Sequence, residues 1–113
     1  MKVAIVGSRN LQVEHLEDYL PEDTTEIISG GARGVDRSAR DYALAHHIPL
    51  VELKPEYERY GRGAPLRRND AIVDQADLVL AFWDGSSRGT RYVIDRCRRL
   101  GVPVKVQMMQ KEE

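Results

Sequence analysis

The chain has 113 residues, of which 42% are hydrophobic, which is enough to build one domain around a single core. Its formal net charge of −1 argues against non-specific nucleic-acid binding through a basic surplus, although 13 of its 17 basic residues are arginine, which suits phosphate recognition. The single cysteine excludes an internal disulfide, no apolar run approaches membrane-spanning length, and an apolar run at the start leaves no room for a signal peptide, so we expect one cytoplasmic domain over residues 1–113.

The first half of the chain alternates short apolar runs with longer amphipathic ones. Three short runs are predicted to be strands: residues 2–6, 25–29 and 49–53. The two runs between them are predicted to be helices: residues 10–20 and 35–47. In the first of these, Val13, Leu16 and Leu20 would share one face, and Pro21 would end the helix.

The second half begins with the longest irregular stretch, residues 54–64, and then resumes the alternation. The remaining elements are predicted as a helix at residues 65–75, a strongly apolar strand at 77–83, a helix at 90–100 and a strand at 102–107. Pro65 suits the first turn of its helix, and Gly101 suits a helix end. We expect residues 108–113 to be frayed.

Five strands alternating with four helices predict a three-layer α/β domain of the Rossmann-like type, with a five-stranded parallel sheet. Right-handed crossovers favour the strand order 3-2-1-4-5. In such sheets the ligand crevice lies where the direction of winding reverses, here between the first and fourth strands.

Glycine-bearing polar loops follow three of the predicted strands. They contain Gly7, Ser8 and Arg9 after the first strand, then Gly30, Gly31, Ala32, Arg33, Gly34 and Asp36 after the second, and Asp84, Gly85, Ser86, Ser87, Arg88, Gly89 and Thr90 after the fourth. The carboxyl ends of parallel strands share one edge of a sheet, so these loops would converge there. Glycine backbones and helix N-termini suit a phosphate, and arginine would neutralise it. With Asn69, these residues form the predicted binding set for a phosphate-bearing ligand.

Several of these residues have a structural alternative that the sequence leaves open. Thr90 and Asn69 could cap helices, and Asp36 could form an ion pair with a neighbouring arginine in place of a ribose contact. Tyr57 and Tyr60 could close over a base or pack within their own loop. No His, Cys, Asp or Glu group has metal-ligand spacing, so we predict no metal and no cofactor. Self-association is left open.

The order of these motifs resembles the SLOG superfamily, and most closely its YspA/YpsA-related branch. The motifs are Val6-Gly7-Ser8-Arg9, residues 29–36, Arg68-Asn69-Asp70, and residues 76–90, so the resemblance covers nearly the whole chain. It implies a Rossmann-like fold that binds nucleotides or nucleotide-derived ligands, such as nucleoside phosphates or ADP-ribose derivatives. Members of this branch are associated with phage and bacterial conflict systems.

Two related families imply different activities. Lonely-guy phosphoribohydrolases cleave the base from nucleoside monophosphates with the Glu of P-G-G-x-G-T-x-x-E, and Val93 stands at that position here. The resemblance therefore implies a sensor or binder, or at most a weak hydrolase, with Asp84 as the best catalytic candidate and Asp36 and Asp70 as substitutes. Smf/DprA proteins share the first three motifs and bind single-stranded DNA, which makes nucleic-acid binding the second hypothesis.

Overall fold

A computed structural model describes residues 1–110 of the chain, and five parallel strands form one sheet within that range. The strands are β1 (Lys2–Gly7), β2 (Glu26–Ser29), β3 (Leu50–Glu52), β4 (Leu78–Trp83) and β5 (Val104–Met108). Their order across the sheet is β3-β2-β1-β4-β5. This confirms the fold class and the strand order predicted from the sequence.

Four α-helices accompany the sheet in the described part of the chain. They are α1 (Val35–Ala45), the short α2 (Tyr57–Tyr60), α3 (Ala64–Gln75) and α4 (Arg88–Leu100). None of them is long and apolar enough to cross a membrane. We expected residues 108–113 to be frayed, but Met108 is the last residue of β5, so that prediction is wrong at Met108. Residues 111–113 of the predicted frayed end lie outside the described part of the chain.

The helix predicted for residues 10–20 is wrong. The segment is irregular and contains a single 3-10 turn at Leu16–Asp18. Leu11 and Val13 are buried while their neighbours are exposed, which is the two-residue period of an extended chain. The Val13 N–H donates to Ser38 Oγ of α1 (3.0 Å), and His15 has a left-handed φ of 57°. Tertiary contacts with α1 have therefore overridden a helical pattern that rested on few residues.

Alternate side chains of the strands supply two cores, one on each face of the sheet. Val3 and Ile5 of β1 face the side covered by α1 and by segment 11–16. Ala4 and Val6 face the side covered by α3 and α4. This layering explains why β4 is apolar along its whole length, since both of its faces are covered.

The same layering creates a crevice at the carboxyl edge of the sheet. β1 and β4 pair from Val3↔Leu78 to Gly7↔Phe82, and the Ser8 N–H extends the pairing to the carbonyl of Phe82 (3.1 Å). Beyond that point the chain turns toward α1 after β1 and toward α4 after β4. The two loops diverge and leave a crevice between them, as expected at the switch point of such a sheet.

The loop that follows β2 is fixed by a close approach between two backbones. Gly34, the residue before α1, has φ 76° and ψ −126°, a conformation essentially restricted to glycine. A Cβ atom there would also collide with the carbonyl oxygen of Arg9. The loops after β1 and β2 can therefore meet only because residue 34 has no side chain.

We expect Gly34→Ala to lower the free energy of unfolding by at least about 2 kcal/mol, because it adds backbone strain and a steric clash. Gly63→Ala is the matched control, since Gly63 has φ −79° and open space around its Cβ position. That control should change the free energy by no more than about 0.5 kcal/mol. Urea denaturation of the two variants and the parent would measure both changes, and equal stability of the two variants would contradict this account.

Candidate functional site

An open cleft of about 510 Å³ lies at the carboxyl edge of β1 and β4, between α3 and α4. Most of the residues predicted from the three loops line it: Gly7, Ser8, Arg9, Gly30, Ala32, Asp36, Asp84, Ser87, Gly89 and Thr90, together with Asn69 of α3. The sheet therefore brings together segments that are far apart in sequence, from Gly7 to Thr90. This is the convergence that the parallel topology predicts.

The other predicted residues lie beside the cleft. Gly31 and Arg33 line two neighbouring depressions of about 500 and 560 Å³. Gly34, Gly85 and Ser86 belong to the supporting loops, and Arg88 is exposed at the first position of α4. Of the three arginines predicted to neutralise a phosphate, Arg9 lines the cleft, whereas Arg33 and Arg88 do not.

Asp84 holds the loop that connects β4 to α4. Its Oδ1 accepts hydrogen bonds from the N–H groups of Ser86 and Ser87, both at 2.9 Å. These two hydrogen bonds keep the pKa of Asp84 far below its ordinary value of 3.8, so the carboxylate is ionised at neutral pH. Its best-defined role is to order this loop, and a carboxylate with so low a pKa is unsuited to act as a general acid.

The loop delivers the N-terminus of α4 to the cleft. Ser87 is the N-cap: its Oγ accepts a hydrogen bond from Thr90 N–H (3.4 Å) and contacts Thr90 Oγ1 (3.1 Å). Thr90 is therefore not the cap. A Cβ atom on Gly89 would meet nothing nearer than Asn69 Nδ2 at 3.9 Å, so the first turn is open to a ligand. The first N–H groups of a helix have no intrahelical acceptor and carry a partial positive charge.

Arg68 was missed in the predicted set and is the most connected side chain of the site. Its Nη1 donates to the carbonyls of Gly30 (2.7 Å) and Leu53 (3.3 Å), and its Nε donates to Asn69 Oδ1 (2.8 Å). Burial lowers the pKa of this guanidinium, and the nearby Asp36 carboxylate opposes the shift. Arg68 therefore carries a positive charge along the cleft wall while it ties α3 to the loops after β2 and β3.

Asn69 lies in the second turn of α3 and lines the cleft, so it does not cap that helix. The Arg68-Asn69-Asp70 motif was the available signal for Arg68, since the two neighbouring polar side chains work together. Asn10, which also lines the cleft, was hidden by the wrong helix prediction for residues 10–20. Leu66 gave no signal in the sequence, because it looks like any apolar residue of an amphipathic helix. In the structure it is 47% exposed and lines the cleft.

Asp36 is the second carboxylate that lines the cleft. Its side chain is buried, and its Oδ2 accepts a hydrogen bond from the Ala32 N–H (3.1 Å). Burial raises the pKa of Asp36, while the Ala32 N–H, Arg68 and Arg9 act in the opposite direction. Within residues 1–110 it makes no ion pair within 4.0 Å, so the alternative of a salt bridge with a neighbouring arginine is not observed.

The two tyrosines of the α2 segment have different surroundings. Tyr57 is 59% exposed and lines a depression that continues from the cleft past Arg9 and Arg68. Tyr60 is half-buried, with the guanidinium carbons of Arg59 and Arg67 at 5.0 and 5.1 Å from its ring centre. Tyr57 is therefore available to a ligand in the cleft, and Tyr60 packs between Arg59 of α2 and Arg67 of α3.

Comparisons with known proteins find a family profile and a phage relative. A sequence profile described as the YspA, cpYpsA-related SLOG family matches residues 1–60, more than half of the chain. The Gene 61 protein of Mycobacterium phage D29 is 34% identical over 84 residues, which cover 69% of this chain and 67% of the phage protein. No solved structure gives a significant match.

Replacing Asp84 should test its role in the loop. Asp84→Ala should lower the free energy of unfolding at pH 7 by about 1–2 kcal/mol, because two N–H groups lose a charged acceptor. Asp84→Asn should cost less, since its amide oxygen can still accept. Urea denaturation of these variants would measure the change, with Asp41→Ala, an exposed carboxylate of α1, as the control.

The effect should also depend on pH. Because folding lowers the pKa of Asp84, its stabilisation is complete above the unfolded value near 3.8 and is lost as the pH falls through the folded value. The difference between the parent and Asp84→Ala should therefore be constant from pH 7 to 5 and smaller at pH 3. A difference that grows as the pH falls would refute this role.

Proposed function

Because the chain belongs to the YspA, cpYpsA-related SLOG family, we propose that its cleft binds a nucleotide or nucleotide-derived ligand, such as a nucleoside phosphate or an ADP-ribose derivative. One observation supports this most strongly. The open first turn of α4 and the guanidinium groups of Arg9 and Arg68 border the same cleft. Helix N-termini and arginines are the groups that proteins use for phosphate.

The phosphate is assigned to the α4 end of the cleft. Gly89 leaves space above the helix N-terminus, and the Ser87 and Thr90 hydroxyls stand beside it. The loop is already held by Asp84, so a ligand would not have to order it on binding. A preorganised site loses less conformational entropy when the ligand binds.

The other wall of the cleft suits a base. Leu66 and Tyr57 are both large and exposed, and both lie along the cleft or its continuation. A planar aromatic base would bury part of this apolar surface and could stack on the tyrosine ring. With the phosphate at one end and the base at the other, the cleft would match the order of these two groups in a nucleotide.

We propose binding or sensing and not efficient hydrolysis. Val93 is buried, lines the cleft and stands where the related phosphoribohydrolases have their catalytic Glu. Of the remaining candidates, Asp84 is engaged in its own loop, and Asp70 accepts a hydrogen bond from Tyr92 (2.7 Å) and pairs with Arg96 (3.2 Å). These contacts leave Asp36 as the carboxylate with most freedom to meet a substrate.

Ligand binding can be tested with ADP, AMP and ADP-ribose. Each compound that binds should raise the melting temperature, by an amount that grows with the logarithm of the ratio of its concentration to its dissociation constant, and calorimetry would give that constant. Arg9→Ala should weaken binding about tenfold or more, because it removes a charged donor from the cleft. Arg91→Ala is the control, since Arg91 is exposed on α4 and pairs with Asp95 (3.8 Å) outside the cleft.

Mass spectrometry of small molecules released from the purified protein would identify a ligand that these compounds do not represent. Incubation of the protein with ADP, AMP or ADP-ribose should yield no free base above background. Robust release of free base that Asp36→Asn or Asp84→Asn abolishes would favour the hydrolase hypothesis. If no nucleotide moves the melting temperature at millimolar concentration and none copurifies, nucleotide binding is refuted.

Single-stranded nucleic-acid binding is the second candidate, and one surface favours it. Arg33, Arg37 and Arg40 are exposed next to Gly31 and Ala32 at the border of the cleft. None of the three forms an ion pair within 4.0 Å among the described residues. Asp41 and Glu52 border the same depression and reduce its positive charge, so we rank this function second.

The two functions differ in their dependence on salt and on this surface. If an oligonucleotide is the ligand, its mobility shift should weaken steeply between 50 and 200 mM salt, on the order of tenfold or more, and Arg37→Ala/Arg40→Ala should abolish it. If a mononucleotide is the ligand, the same double variant should leave its dissociation constant unchanged. A mobility shift at moderate salt without any mononucleotide binding would reverse our ranking.

A further inference from the structure

Asp36 gives the cleft a second polar feature that phosphate binding does not use. The residue is only 8% exposed, and it lines the cleft. One carboxylate oxygen, Oδ2, accepts from the Ala32 N–H at 3.1 Å, and within residues 1–110 no hydrogen bond reaches Oδ1. A carboxylate has about four acceptor positions, so most of its capacity is left for a group that enters the cleft.

The location of this carboxylate restricts what that group can be. An ionised carboxylate accepts hydrogen bonds and repels phosphate, so the ligand must present hydroxyl or N–H donors to it. The burial of Asp36 raises its pKa because the ionised form lacks water, and a ligand donor would compensate that loss. Asp36 is therefore suited to the uncharged, donor-bearing part of a ligand.

Gly30 lets the side chains of Arg68 and Asp36 approach its backbone closely. A Cβ atom on Gly30 would lie 2.6 Å from Arg68 Nη1 and 2.9 Å from Asp36 Oδ2. The guanidinium and the carboxylate therefore share one wall of the cleft, between the α4 end and the Tyr57 side. In a nucleotide, the part between phosphate and base is the ribose, and its only donors are hydroxyl groups.

We propose that Asp36 accepts a hydrogen bond from the ribose 2′-hydroxyl and makes the cleft selective for ribonucleotides over 2′-deoxyribonucleotides. This inference rests on the proposed nucleotide binding. It assigns the chemical class of the ligand within that function. Asp36 acts here as a specificity-determining residue of the cleft.

The test compares matched pairs that differ by one oxygen atom: AMP with 2′-deoxy-AMP, ADP with 2′-deoxy-ADP, and GMP with 2′-deoxy-GMP. Calorimetry on the wild-type chain should show each ribonucleotide binding about tenfold tighter than its 2′-deoxy partner, as expected for a hydrogen bond to a charged group. Asp36→Asn should reduce this ratio to about threefold or less, because the amide replaces the charged acceptor with a neutral one. The wild-type ratios test the proposal even if that variant fails to fold.

Asp41→Asn is the matched control, since Asp41 lies on the same helix, is exposed and does not line the cleft. It should keep the ribose selectivity of the wild-type chain. Equal binding of both members of each pair would overturn the ribose assignment while nucleotide binding stands. Selectivity that follows guanine against adenine and ignores the 2′-hydroxyl would assign Asp36 to the base and overturn the proposal too. Binding of no nucleotide would overturn both proposals.

Discussion

The parallel pairing of β1 with β4 is the constraint on which the site depends. These two strands are far apart in sequence and adjacent in the sheet, and their pairing continues beyond Gly7 through the Ser8 N–H. Since the chain then departs to opposite faces, polar loops that would otherwise pack against each other are separated by a cleft. Gly7 allows this close pairing, because a Cβ atom there would lie 2.5 Å from the Phe82 carbonyl oxygen.

Two charged side chains then connect the segments that form the cleft. Asp84 holds the β4–α4 loop through two backbone N–H groups, and Arg68 joins α3 to the carbonyls of Gly30 and Leu53. Both side chains form hydrogen bonds that support the loops, and their charges also contribute to the electrostatic potential of the cleft. The helix N-terminus and Arg68 place positive charge along its walls. Two carboxylates also line it: Asp84 is engaged by the N–H groups of its own loop, and Asp36 lies apart from that loop. This division of charge is the physical basis for assigning phosphate and ribose to different parts of the site.

Much of the architecture could be predicted from the sequence, because it follows from strong local signals. The apolar run of β4 and the glycine-bearing loops after β1, β2 and β4 indicated strands, crossovers and the switch point, and the sheet order is confirmed. The family resemblance is confirmed by the profile match. What failed was decided by tertiary contacts. Residues 10–20 have a weak helical pattern, and contacts with α1 draw them into an extended path.

The sequence also could not predict which of the loop residues line the cleft. Arg9, Arg33 and Arg88 look equivalent as loop arginines, yet the fold brings Arg9 alone among these three to the cleft. Arg68 does not lie in a glycine-bearing loop, so it was not included in the predicted binding set. Its role depends on carbonyl groups contributed by two distant segments. Such roles depend on where backbones meet in three dimensions, and no periodicity or composition encodes that.

The most direct test of a nucleotide-binding cleft is amide chemical-shift mapping by NMR on the isotopically labelled chain during titration with ADP. Binding in the cleft should give the largest changes at the N–H groups of Ser8, Ala32, Gly89 and Thr90, which border the cleft, with saturation at a single dissociation constant. Changes confined to the exposed arginine surface of α1, or no changes at millimolar ADP, would contradict it.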